Sequence, residues 1–140
     1  MGVVQAHADA FLALLRGTAG LTVYPRPDGA GDGQRVPAGA RPPYVVVDVA
    51  METPEGSALA GVSDRVTAWA YCHCVGGNDV ACRAVAQLVR SALLDRRPVI
   101  AGRATGLIRH DANRPPSADE STGELVVEQT DVYRLDTYPA

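Results

Sequence analysis

No lysine occurs anywhere in this chain; all 13 of its basic residues are arginines. Together with abundant Ala, Val and Gly, that usage points to a GC-rich genome. Large rings are scarce too, with one Trp, one Phe and five Tyr. No apolar run approaches the roughly 18 residues of a membrane-spanning helix. The N-terminal stretch lacks the basic region and cleavage site of a secretory signal, and the expectation is a soluble cytosolic chain with no membrane partner. A formal net charge of −3 argues against general nucleic-acid affinity, which rests on an excess of cations displacing phosphate counterions. Three cysteines without a secretory signal do not form a disulfide framework, so free thiols are expected. Internal repeats and heptad runs are absent.

What is present suffices for one domain, 1–140: 140 residues with 46% hydrophobic side chains build a single core. Residues 3–16, VVQAHADAFLALLR, place Val4, Ala8, Phe11, Leu12 and Leu15 on one helical stripe, and Gly17 ends the helix. LTVYP at 21–25 reads as a short strand. The stretch 26–43, rich in proline and glycine, reads as a flexible loop. YVVVDVAME at 44–52 is a valine-rich strand with Val45, Val47 and Val49 on one face, followed by a long connection over 53–63. RVTAWAYCHCV at 65–75 alternates Val66, Ala68, Ala70, Cys72 and Cys74 with Arg65, Thr67, Trp69, Tyr71 and His73. One face of that strand is small and apolar, and the other is large and mixed. Gly76 and Gly77 break it, and Asn78 caps a helix whose stripe is Ala81, Cys82, Val85, Val89, Ala92 and Leu93 and which runs to Asp95 before Pro98. GLIRHD at 106–111 starts a strand, 111–123 is a polar loop, and 125–138 is a long final strand. Hairpin connections imply mainly antiparallel pairing. The predicted fold is α+β, a two-layer sandwich of four to five mainly antiparallel strands with two helices packed on the sheet.

Chemistry concentrates in AYCHCVGGNDVAC, residues 70–82, which holds every cysteine and His73. A zinc site needs converging ligands, commonly four. Here alternation separates His73 from Cys72 and Cys74, while His7 and His110 are solitary. Cys82 approaches the strand if its helix folds back over it, which leaves a thiol cluster or a disulfide open against simple packing of small hydrophobes. A cysteine nucleophile needs a neighbouring base, and in a strand adjacency is separation. GAGDG at 29–33 lacks the remainder of either phosphate-loop signature, and GVSDR at 61–65 lacks the closing glycine of a nucleophile elbow. The carboxylates Glu120, Glu124, Glu128, Asp131 and Asp136 form no acid/base pair by spacing. No catalytic residue, metal site or cofactor is expected. Arg65, Trp69 and Tyr71 share one strand face, and these side-chain types are enriched at interface hot spots; a core role for Trp69 under a helix is the competing reading.

The order of elements, with RPPYVVVDV at 41–49, DRVTAWAYCHCVG at 64–76, ACRAVAQLVRSALLD at 81–95 and VYRLDT at 132–137, resembles the tail terminator (tail completion) proteins of long-tailed bacteriophages, particularly those of actinobacterial phages. The resemblance implies a non-enzymatic virion protein of the tail and neck, assembled in the host bacterial cytoplasm. Such a protomer forms a homo-oligomeric ring, a hexamer, on the major tail tube protein, halts tube polymerisation and meets the head-completion or connector protein, while genomic DNA passes through without specific binding. Loops 53–63 and 111–122, with Arg65, Trp69, Tyr71, Arg109 and Arg114, are the expected subunit and tube contacts. The alternatives are another neck component such as a head–tail adaptor, and a small cysteine-dependent or metal-binding protein.

Overall fold

The computed structural model describes residues 3–25, 41–52, 65–119 and 125–140. GAGDG, most of GVSDR, the 53–63 connection and most of the 26–43 stretch lie outside the described residues. The elements are α1 (Val3–Arg16), β1 (Val23–Pro25), β2 (Tyr44–Glu52), β3 (Val66–Gly76), α2 (Asp79–Leu93), β4 (Arg103–Thr105), β5 (Arg109–Asn113), β6 (Ser117–Asp119) and β7 (Val126–Pro139). Among the described residues two helices and a mixed sheet make the α+β fold expected, and neither helix is long and apolar enough to cross a membrane.

The sheet runs β1-β2-β3-β7-β4, with β5 and β6 also paired to β7. Among the described residues seven strands replace the expected four to five, and the reason is β7. Its 14 residues offer one long edge of backbone donors and acceptors that must find partners. Three short strands share that edge: β6 opposite 126–128, β5 opposite 131–134 and β4 opposite 137–139. The expected polar loop at 111–123 is therefore strand for part of its length, and the Arg114 N–H continues the ladder to Thr130 O at 2.8 Å. β1 joins β2 in parallel, whereas β2–β3 and β3–β7 are antiparallel.

Both helices bury their apolar stripes on one sheet face, made by Val45, Val47, Ala68, Ala70, Cys72, Cys74, Tyr133 and Leu135. In α1, Phe11 and Leu15 are fully buried and Leu12 nearly so, but Val4 is exposed. The stripe turns toward His7 instead, which is fully buried with its Nε2 2.8 Å from Thr137 Oγ1. Each large aliphatic or aromatic side chain buried here contributes about 1.5–3 kcal/mol.

At the other helix, Asn78 has extended backbone and its side-chain oxygen accepts from the Ala81 N–H at 2.8 Å, so the expected cap is in place. The buried stripe is Cys82, Val85, Ala86, Val89, Ala92 and Leu93. Ala86 takes the place expected for Ala81, which is half-buried near the helix start. Winding stops at Leu93 rather than Asp95, because Asp95 adopts φ 60° and its N–H donates to Ile108 O at 2.9 Å, stitching the helix end to the chain leading into β5. Gly76 allows the tight junction between β3 and α2, since a Cβ there would run into the Cys82 backbone.

Candidate assembly surface

The second sheet face carries no helix among the described residues. Antiparallel register aligns its side chains in cross-strand rows. Ala50, Trp69, Arg134 and Arg109 form one row; Asp48, Tyr71, Val132 and Ala112 form the next; Val46, His73 and Thr130 form a third. Tyr71 is 37% exposed and Trp69 and Val132 are half-buried. The reading of Trp69 as core under a helix does not fit, because both helices occupy the opposite face.

Of the five residues expected at contacts, Trp69, Tyr71 and Arg109 are brought together in adjacent rows. Arg109 is also tied down at one end, its Nη1 lying 2.6 Å from Asp95 Oδ1 with both side chains exposed. Arg65 stands one residue before β3, half-buried, and its Nε has no hydrogen-bond partner among the described residues. Arg114 is exposed just past β5 at the sheet edge.

Sequence reasoning missed the polar centre of this face. His73 places Nδ1 2.9 Å from Glu128 Oε1 and 3.1 Å from Thr130 Oγ1, while Nε2 lies 3.5 Å from Asp48 Oδ2. Asp48 interrupting a valine run was the available signal. Beside the aromatic rows, Arg134 reaches Asp136 at 3.3 Å, and Asp136 accepts from Thr67 Oγ1 at 2.7 Å. The face thus combines exposed ring surface with fixed charges of both signs, the composition of an interface with a polar rim.

The thiols lie on the other side. Cys72, Cys74 and Cys82 are all free and buried. Cys82 Sγ donates to Cys74 O at 3.2 Å, and Cys74 Sγ to Cys72 O at 3.7 Å. Burial, and then the Asp131 carboxylate, push the Cys72 thiol well above its ordinary range; burial dominates for Cys74 and Cys82 as well. A nucleophile needs the opposite shift. His73 faces away from all three, and no group of three His, Cys, Asp or Glu among the described residues is placed to hold a metal ion.

A cleft of about 330 Å³ lies on the helix side, between α2 and the β5–β7 pair. Asp131, only 4% exposed, sits among its lining residues and accepts from Gln129 Nε2 at 3.2 and 3.4 Å. His110 Nε2 stands 3.6 Å from the same carboxylate, its ring edge-on to Tyr133 at 5.3 Å. Burial, with Asp131 beside it, raises the Tyr133 hydroxyl above its ordinary range. A polar residue at an inward position between Gln129 and Tyr133 was the sequence signal for this cleft.

No family model matches the sequence, and no curated protein matches it. Among solved structures the chain is similar to one in the virion of a native gene transfer agent (GTA) particle, with a TM-score of 0.65, 16% identity, and 99% of each chain covered. At that identity the likeness speaks for the fold, and it extends from one end of the chain to the other.

Proposed function

We propose that the chain is a structural virion protein, and within that class a tail terminator. It caps the tail tube as a homo-oligomeric ring, six subunits in the form the resemblance implies, stops tube polymerisation and joins the tail to the head-completion or connector protein. The observation that carries this reading is the end-to-end fold likeness to a chain of a gene transfer agent virion. A fold alone does not assign a role, but two features of the chain support it. The sheet face that carries no helix among the described residues offers Trp69 and Tyr71, side chains typical of interface anchors, and the buried, protonated thiols leave the chain's densest chemical motif to packing.

In this reading Trp69, Tyr71 and Arg109 meet the neighbouring subunit, Arg134 beside them completes the contact, and Arg65 and Arg114 stand at its margins. A closed ring requires a head-to-tail contact, one patch meeting a different patch on the next copy. The net charge of −3 suits a lumen through which DNA slides without sticking.

The test is electron microscopy of particles assembled without this protein. Overlong tail tubes support a terminator; tubes of normal length that fail to join heads point to an adaptor instead. Light scattering adds a second check, with a ring-sized particle expected for the isolated protein or for the protein mixed with tail tubes.

A further inference from the structure

The cleft between α2 and the β5–β7 pair plays no part in the reading above and lies on the opposite side of the sheet from the aromatic rows. Its rim and its floor make different demands. Arg83, Gln87 and Arg90 follow one another at spacings of four and three on α2, so they form one exposed row along the cleft. Arg109 and Arg134 are paired with carboxylates, whereas Arg83 and Arg90 have no carboxylate partner among the described residues. The rim therefore favours an anion, and an arginine fork suits a carboxylate.

The floor favours a donor. The buried Asp131 carboxylate has two long hydrogen bonds from a single amide, at 3.2 and 3.4 Å, and His110 at 3.6 Å stands beyond hydrogen-bond reach. A buried carboxylate so weakly satisfied gains from any further N–H that reaches it. Inorganic phosphate would satisfy the rim and press negative charge against the floor. A guanidinium or ammonium would satisfy the floor and be repelled at the rim. A peptide segment carrying Asp or Glu supplies a carboxylate and main-chain N–H donors together, and a cleft of about 330 Å³ falls in the range of ordinary ligand sites.

We propose that this cleft is a binding site for an acidic peptide segment of a partner protein, its carboxylate held between Arg83 and Arg90 and its backbone N–H groups donating to Asp131. The proposal stands apart from the tail reading, since an acidic partner segment is recognised by the same chemistry in any assembly.

The test is a ¹⁵N–¹H NMR titration of the full chain with the capped peptide acetyl-Gly-Glu-Asp-Gly-amide. The parallel arms use acetyl-Gly-Gln-Asn-Gly-amide and inorganic phosphate. The expected result is saturable shifts confined to 83–90, 110–113 and 129–133, with Kd near or below about 1 mM for the acidic peptide. The amide peptide and phosphate bind at least tenfold more weakly. The double variant Arg83→Ser/Arg90→Ser, at two exposed positions and with an amide spectrum as dispersed as the parent's, weakens the acidic peptide at least tenfold. Equal binding of both peptides, phosphate binding as tight as peptide, shifts centred elsewhere, or an unaffected double variant would each overturn the proposal.

Discussion

Gly76 and Gly77 are neighbours, yet replacing each with alanine is expected to move stability in opposite directions. At Gly76 an added Cβ would collide with the Cys82 backbone nitrogen and lie 2.7 Å from Ala81 C and 2.8 Å from Cys82 Cα. All three atoms are backbone, so no rotamer change relieves the clash. The start of α2 must back away from β3, which stretches the 3.2 Å Cys82 Sγ to Cys74 O contact and opens the seam between strand and helix. Overpacking typically costs about 1–3 kcal/mol, and the loosened seam adds to it. Gly76→Ala should therefore lose about 3 kcal/mol or more. At Gly77 nothing lies within 4 Å of the added atom and φ is not positive. Alanine there narrows the unfolded ensemble without strain and should gain about 0.4–1 kcal/mol. Urea unfolding followed by circular dichroism measures both, and an unchanged m-value shows that the midpoint shift is a stability change. Gly76→Ala as stable as the parent, or both variants shifted alike, would refute the close approach of β3 and α2.

Three further outcomes are expected. The thiols should resist a disulfide reagent in the folded protein and react fully in urea. Because folding raises their pKa, the unfolded chain binds fewer protons once pH exceeds about 8.5, so stability is fully present below that and falls as pH rises, by about 1.4 kcal/mol per pH unit for each thiol kept protonated. Urea midpoints that stay flat across this alkaline range, or that keep the same slope in Cys74→Ala, would contradict the burial argument. Thr137→Val deletes the hydroxyl that lies 2.8 Å from both His7 Nε2 and Arg103 Nε and should cost about 1–3 kcal/mol, read from the same unfolding curves. Tyr71→Ser removes the ring from this face without setting a like charge opposite Asp48; it should lower the oligomer mass seen by light scattering while changing monomer stability by about 1 kcal/mol or less, and an intact ring in that variant would remove Tyr71 from the interface.

The elements visible in the sequence are those where several local rules agree. From Ala70 to Cys82, strict alternation, the Gly-Gly break and the Asn78 cap all point to strand, turn and helix, and each is found there. β4 and β6 were not legible, since RAT and SAD are three-residue segments with no pattern of their own. They are strands because β7 presents an edge long enough to recruit them, a cause that lies elsewhere in the chain. His7 shows the same limit: helical periodicity turns it toward the core, but the hydroxyl that satisfies it is 130 residues away. The candidate surface was half legible. Alternation placed Trp69 and Tyr71 on one face, whereas the rows that set Arg134 and Arg109 beside Trp69 follow from register, which no local pattern states.

The two faces of β3 are linked by a steric requirement. α2 can close on the strand only if the side chains beneath it are small, and Ala68, Ala70, Cys72 and Cys74 meet that need while Gly76 removes the last obstacle. The bulk of the strand is thereby displaced to the other side, where Trp69, Tyr71 and His73 alternate with them. Thiols in the core and rings on the surface are thus two consequences of one packing decision. A cysteine enlarged to leucine at position 74 should push α2 outward and destabilise the monomer, while leaving the aromatic rows in register. A reduction at Trp69 should do the reverse, sparing the core and weakening whatever meets the open face. Finding that Cys74→Leu disturbs assembly at undiminished monomer stability would break this separation and place the helix layer, not the sheet face, at the subunit contact.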